Sequence, residues 1–322
     1  MRGLIAVTLA ALLVPAGCSG EDPEPTASAS PTATPVLPLS GLPAPDGVPD
    51  RPALVVKVDN TGSSRPQLGL SSADLVVEEL VEGGLTRLAA MFHSTLPAVV
   101  GPVRSVRTTD IGIVAPTGGV LVASGGAGRV LAAIDAAGIP VLTEGDAGLS
   151  RDRSRPAPYN VMLDPAAAVA GVTDLAAPMG PYLPWATPET PPPAGAPATS
   201  AAVTFSSGHT TRWRWVDGTW SRTDDLAEPG DEFRPANLLV LRVTTRDAGY
   251  LDPAGNPVPE TVLEGSGEAL LLTSGQLLDG RWSKADAASA LQLTDLAGAE
   301  LVVPPGLTWI GLVPEAGAVE TG

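Results

Sequence analysis

Two proline-rich stretches cut this chain into pieces and so limit what each piece can fold into. From Ser19 to about Pro45 the residues are mostly Pro, Ser, Thr, Ala and acid, and Thr187 to Ser200 reads TPETPPPAGAPATS. Proline lacks a backbone N–H and biases the residue before it away from helix, so neither stretch sustains a helix or an inner strand. The first also lacks the apolar periodicity that a core requires and is expected to be a disordered tether. At about 3 Å per residue it reaches on the order of 80 Å. The second reads as an interdomain linker. The expected organisation is an N-terminal segment 1–17, a tether 18–45, a first domain 46–186, a linker 187–200 and a second domain 201–322.

The chain opens MRGLIAVTLAALLVPAGC, with Arg2 as a positive start and an apolar run from Leu4 to Val14. That run is too short for a permanent span. Ala16 and Gly17 then precede Cys18, which resembles a lipobox, although Pro15 stands where that pattern prefers leucine. The resemblance implies lipid on Cys18 and cleavage just before it. Two acyl chains make such anchoring stable. The body is therefore expected to be extracytoplasmic, lipid-anchored on the outer face of the cytoplasmic membrane. Cys18 is the single cysteine, so no disulfide forms within the chain.

The formal charge is −16 and is unevenly spread: residues 51–185 carry 10 bases and 12 acids, and residues 201–322 carry 8 bases and 17 acids. An acidic body repels phosphate polymers, so nucleic acid is not expected as a partner. The two histidines, His93 and His209, are far apart in sequence, which argues against a zinc site or a Ser-His-Asp triad. No cofactor is expected.

In the first domain ALVVKVDN (53–60), DLVVEEL (74–80), LTRLAAMF (85–92) and GVLVAS (119–124) read as strands. SGGAG (124–128), the helical pattern RVLAAIDAAG (129–138) and IPVLT (139–143) follow in a βαβ-like order. The glycines fit a tight turn better than a phosphate cradle, because their spacing is not that of a dinucleotide site. In the second domain short apolar runs alternate with turns, and WVDGTW (215–220) reads as a hairpin turning at Asp217-Gly218. The fold class expected is α+β, an N-terminal α/β domain followed by a mostly β C-terminal domain. Trp213, Trp215 and Trp220 are either core or an exposed sugar-stacking platform.

VDN (58–60), RPQxGL (65–70), ADLVxE (73–78), EGGLTR (82–87), GPVRSVR (101–107) and APYN (157–160) resemble, in order and spacing, the YerB-like family of bacterial lipoproteins. GSGEALLLTSGQLLDGRWSK (265–284) and PPGLTWIGLVP (304–314) continue the likeness into the second domain. The resemblance implies a lipoprotein built around a domain of unknown function and brings no established activity.

These motifs supply the candidate cleft: Asp59, Asn60, Arg65, Gln67, Glu78, Glu82, Thr86, Arg87, Arg104, Ser105, Arg107 and Asn160. Guanidinium forks suit carboxylates or phosphates, so Arg65, Arg87, Arg104 and Arg107 either converge on an anionic ligand or pair with the acids and fix the cleft's shape. Equal supplies of the two signs favour pairing. On a helix Arg104 and Arg107 share a face, and on a strand Asp74 and Glu78 do. Three functions follow. The first is a non-catalytic envelope module that binds a cell-wall polymer or a membrane-protein partner. The second is a wall-active hydrolase or transferase using Glu78, Glu82 or Asp59 as paired carboxylates. The third is a solute-binding lipoprotein.

Overall fold

Aliphatic and β-branched runs set the strands of this protein, whose computed structural model describes residues 35–172, 175 and 180–322. Cys18 and the export segment lie outside the described residues. In the first half the strands are β1 (Leu54–Asp59), β2 (Leu75–Leu80), β3 (Thr86–Phe92), β4 (Val120–Val122), β5 (Val141–Leu142), β6 (Leu149–Arg151) and β7 (Val161–Leu163). The helices are α1 (Asp110–Val114), α2 (Gly128–Ala136) and α3 (Pro165–Gly171). Then come β8 (Ala196–Pro197), β9 (Ser200–Ser206), β10 (His209–Val216), β11 (Thr219–Arg222), β12 (Asn237–Val243), β13 (Thr245–Leu251) and β14 (Pro257–Thr261). The chain finishes with β15 (Gly265–Thr273), β16 (Gln276–Lys284), β17 (Gln292–Asp295), β18 (Thr308–Pro314) and β19 (Ala318–Thr321).

The protein is mostly β. One sheet of eleven strands runs β17-β16-β15-β12-β18-β2-β3-β1-β4-β5, with β8 added beside β16. Its centre joins the two halves, because β18 pairs in parallel with β2 and sets Trp309 beside Val76. The unit β4–α2–β5, with parallel neighbours, is the βαβ order expected from the sequence. The other inner strands of the first half do not follow an α/β plan, since β3 runs antiparallel to both β1 and β2. Within 187–200, β8 pairs with β16, and Gly195 N–H donates to Gln276 Oε1 at 2.7 Å. Residues 35–45 are likewise built into the fold: Leu39 is buried, and Pro38 C=O accepts from Tyr182 N–H at 2.9 Å.

Alternation sorts the apolar residues onto two faces. Val55, Leu75, Val77, Ala89, Met91 and Leu121 pack under α1 and α2. Val56, Val58, Val76, Leu88, Phe92 and Trp309 pack against a second sheet, β11-β10-β9-β19, through its Val203, Phe205, Trp213 and Trp220. Each fully buried Leu, Val or Phe stabilises by about 1.5–3 kcal/mol. The tryptophans are thereby placed: Trp213 and Trp220 are core, and Trp215 is half-buried. The β10–β11 hairpin turns at Asp217 and Gly218, both with positive φ (51° and 80°), as a type I′ turn requires.

Candidate functional site

Consecutive strand residues face opposite ways, so Glu78 and Glu79 on β2 serve two different layers. Both carboxyls are fully buried, and a buried carboxylate persists only if hydrogen-bonded or paired.

Glu78 faces the small sheet. Its Oε1 accepts from Asn60 Nδ2 at 2.9 Å, Thr86 Oγ1 at 2.9 Å and Thr211 Oγ1 at 2.8 Å, and lies 2.9 Å from His209 Nε2. Its Oε2 accepts from Trp309 Nε1 at 3.2 Å. Arg222 Nη1 donates to Asn60 Oδ1 at 3.1 Å and stacks on the Trp309 ring, 5.4 Å from its centroid. Gln67 Nε2 donates to Asp59 C=O at 2.6 Å, which holds the turn carrying Asn60. Burial alone raises the Glu78 pKa, but the hydrogen bond and charge of His209, with the charge of Arg222, hold it below its usual range.

Glu79 faces the helices and belongs to a network of eight ionisable side chains. Lys57 is bonded to Glu79 and lies 2.7 Å from Asp110 Oδ1, all three without solvent exposure. Arg107 N–H donates to Asp110 Oδ2 at 2.7 Å, and its Nε to Glu82 Oε2 at 2.7 Å. Arg87 Nη2 donates to Glu82 Oε1 at 2.8 Å and its Nη1 to Ser105 C=O at 2.9 Å. Arg104 Nε lies 2.9 Å from Asp59 Oδ2. Four bases (Lys57, Arg87, Arg104, Arg107) thus meet four acids (Asp59, Glu79, Glu82, Asp110) on one face of three adjacent strands.

The environments pull these groups apart. Burial, with the charge of Asp110, pushes Glu79 up to about 7 against the opposing pull of Lys57. Burial, with Arg107 beside it, pushes the Arg87 guanidinium down to about 10. Burial would raise Glu82 as well, but the hydrogen bond from Arg107 and the charge of Arg87 keep it low. The network reaches solvent at Arg104, whose side chain is 20% exposed. Its Nη1 donates to Pro158 C=O at 3.2 Å, and its guanidinium lies 5.2 Å from the centre of the Tyr159 ring.

The sequence candidates therefore divide. Asn60, Gln67, Glu78 and Thr86 meet in one layer; Asp59, Glu82, Arg87, Arg104, Ser105 and Arg107 meet in the other. Arg65 stands apart and exposed, donating to Asp225 C=O at 3.2 Å. Asn160 accepts from Arg151 Nη1 at 2.8 Å. Two expectations change. Residues 104–107 are not helical, and Arg104 and Arg107 reach different acids. Asp74 precedes β2 and accepts from His93 and Ser94 N–H at 2.7 and 2.9 Å, closing a turn far from Glu78's role. Lys57, Glu79, Asp110, His209, Thr211, Arg222 and Trp309 were not among the candidates. The signals for the first two were present, since a charge inside an apolar strand such as ALVVKVDN or DLVVEEL requires a buried partner.

A mixed sheet backed by a smaller antiparallel sheet, with its inner carboxylates paired, defines a mostly β protein organised around buried charge networks. The chain belongs to the YerB-like family: residues 39–177 match the family described as "Protein of unknown function (DUF3048) N-terminal domain", and residues 201–310 match its C-terminal domain. A 70-residue segment is 50% identical to "Putative lipoprotein YerB" of Bacillus subtilis (strain 168), covering 22% of this chain and 21% of that protein. The crystal structure of YerB protein from Bacillus subtilis matches with a TM-score of 0.72 at 24% identity, over 88% of this chain and 98% of that one. That second likeness is one of fold.

Proposed function

We propose that this chain is an extracytoplasmic lipoprotein, anchored through Cys18, that binds an envelope component and does not cleave it. The ligand in this reading is a cell-wall component or a membrane-protein partner. It meets the half-exposed rim of the eight-charge network at Arg104, Ser105 and Tyr159. The observation that carries the non-catalytic reading is the partnering of the acids. Cleavage of a glycosidic bond by paired carboxylates needs one that keeps its proton near neutral pH and can reach substrate. Glu78 and Glu82 are both held low. Asp59 is occupied by Arg104 and by Thr61, whose Oγ1 and N–H donate to its Oδ1 at 2.6 and 2.8 Å. Glu79 is pushed up, but it is sealed behind Lys57 with no exposure.

The guanidinium of Arg104 is paired by charge with Asp59, donates one N–H to Pro158 C=O, and presents the remainder at the surface, where a wall carboxylate or phosphate can take it. The test uses the full-length lipoprotein in detergent, incubated with a cell-wall digest and read by native and denaturing mass spectrometry. Retained fragments that are lost in Arg104→Ala support the reading. New fragment masses that disappear in Glu82→Gln overturn it in favour of a hydrolase.

A further inference from the structure

The outer face of the small sheet carries a feature that the charge networks do not use. On β10 the residues alternate, so Thr211 and Trp213 point into the core while Arg212 and Arg214 project side by side into solvent. The next strand places Ala202 opposite Arg212 and Ser200 opposite Arg214. Beyond it, β19 sets Glu320 opposite Ala202. These small central residues leave a trough of about 310 Å³, which also touches Thr223 and Thr321. That volume lies at the lower end of small-ligand sites.

The two walls of the trough are oppositely charged. Arg212 and Arg214 form one and Glu320 the other, and none of the three makes an ion pair among the described residues. Arg212 and Glu320 sit on strands separated by one intervening strand, so their backbones are two interstrand spacings apart, about 10 Å. That gap keeps the charges from neutralising each other directly, as the paired acids and bases of the inner network do. The half of the chain that holds them has 8 bases against 17 acids, so two adjacent unpaired arginines are unusual there.

We propose that this trough is a second binding site, which takes a short zwitterionic peptide. The peptide's free carboxylate lies on Arg212 and Arg214, its free amine lies on Glu320, and its backbone crosses Ala202 and Ser200. Two guanidiniums on one face suit a carboxylate. A tripeptide extended at about 3.4 Å per residue matches the span between the walls.

The experiment compares three probes on the unaltered full-length protein by isothermal titration calorimetry: triglycine, N-acetyl-triglycine and triglycine amide. Triglycine is expected to bind saturably, and loss of either terminal charge should weaken it about tenfold, the scale of one charge-assisted hydrogen bond. In Arg212→Gln/Arg214→Gln the penalty for the amide disappears, and in Glu320→Gln the penalty for the acetylated peptide disappears. These side chains are exposed, so folding is expected to persist and is checked by circular dichroism. Arg281→Gln, which removes an exposed arginine on β16 outside the trough, should leave triglycine binding unchanged. Absence of saturable triglycine binding, or equal binding of all three probes, overturns the proposal without reliance on any variant.

Discussion

His209 Nε2 lies 2.9 Å from Glu78 Oε1, across 131 residues of chain, and ties the small sheet to the centre of the large one. The carboxylate there is ringed by donors from Asn60, Thr86, Thr211 and Trp309. Glu78→Gln turns one of its two accepting oxygens into an N–H₂ that faces other donors. Unsatisfied groups at such a site cost about 1–3 kcal/mol each. A loss of about 3–5 kcal/mol in urea unfolding at pH 7 is expected. A loss below about 1 kcal/mol would mean that the carboxylate charge is not needed to hold the sheets together.

The same carboxylate sets an acid limit. Because the folded-state pKa of Glu78 is depressed below the usual 4.5, its stabilisation is present above that value and is lost as pH falls through the lower, folded value. Glu82 acts in the same direction. Glu79 has the opposite sign. Its pKa is raised to about 7, so the folded state holds the proton more tightly and stability falls as pH rises from 4.5 through about 7. Gln mimics the protonated form and can still accept from Lys57. Glu79→Gln should therefore match the wild type near pH 4.5 and exceed it in urea midpoint at pH 8. Equal offsets at the two pH values would show that Glu79 is ionised throughout.

Much of the strand pattern was legible because apolar runs and turn residues are local signals. ALVVKVDN and the Asp217-Gly218 turn fall where they were read. The pairing of arginines with acids was also legible, since Arg87, Arg104 and Arg107 occur in the same motifs as Asp59 and Glu82. The insertion of β18 beside β2 was not, because two parallel apolar strands carry no mark of their register at long range. His209 follows Gly208 and reads as loop, but strand pairing carries its ring to Glu78. Such destinations depend on tertiary neighbours and not on local propensity.

Cys18 provides a test of the anchor that needs no ligand. Cys18→Ser removes the thiol that lipid requires, so the protein should no longer carry the mass of a diacylglyceryl group and should keep the export segment otherwise cut before Cys18. Retention of the diacylglyceryl mass in the variant would place the lipid on another residue.

Arg104 and Arg107 should separate binding from stability. Arg107 is bonded to Glu82 and Val106 C=O inside the network, and its loss removes two charged donors from Glu82 and leaves Arg87 as that carboxylate's remaining cation. Arg107→Ala is expected to cost about 2–3 kcal/mol. Arg104 pairs with Asp59, whose buried carboxylate keeps two hydrogen bonds from Thr61 when the arginine is lost. Arg104→Ala should cost about 1–2 kcal/mol while releasing wall fragments retained by the wild type. The informative comparison is retention at matched folded fraction, measured at a temperature where both variants remain native by circular dichroism. Release by Arg104→Ala alone assigns the contact to the rim. Equal retention by both variants and the wild type removes the rim from the binding surface and leaves the eight charges a purely structural role.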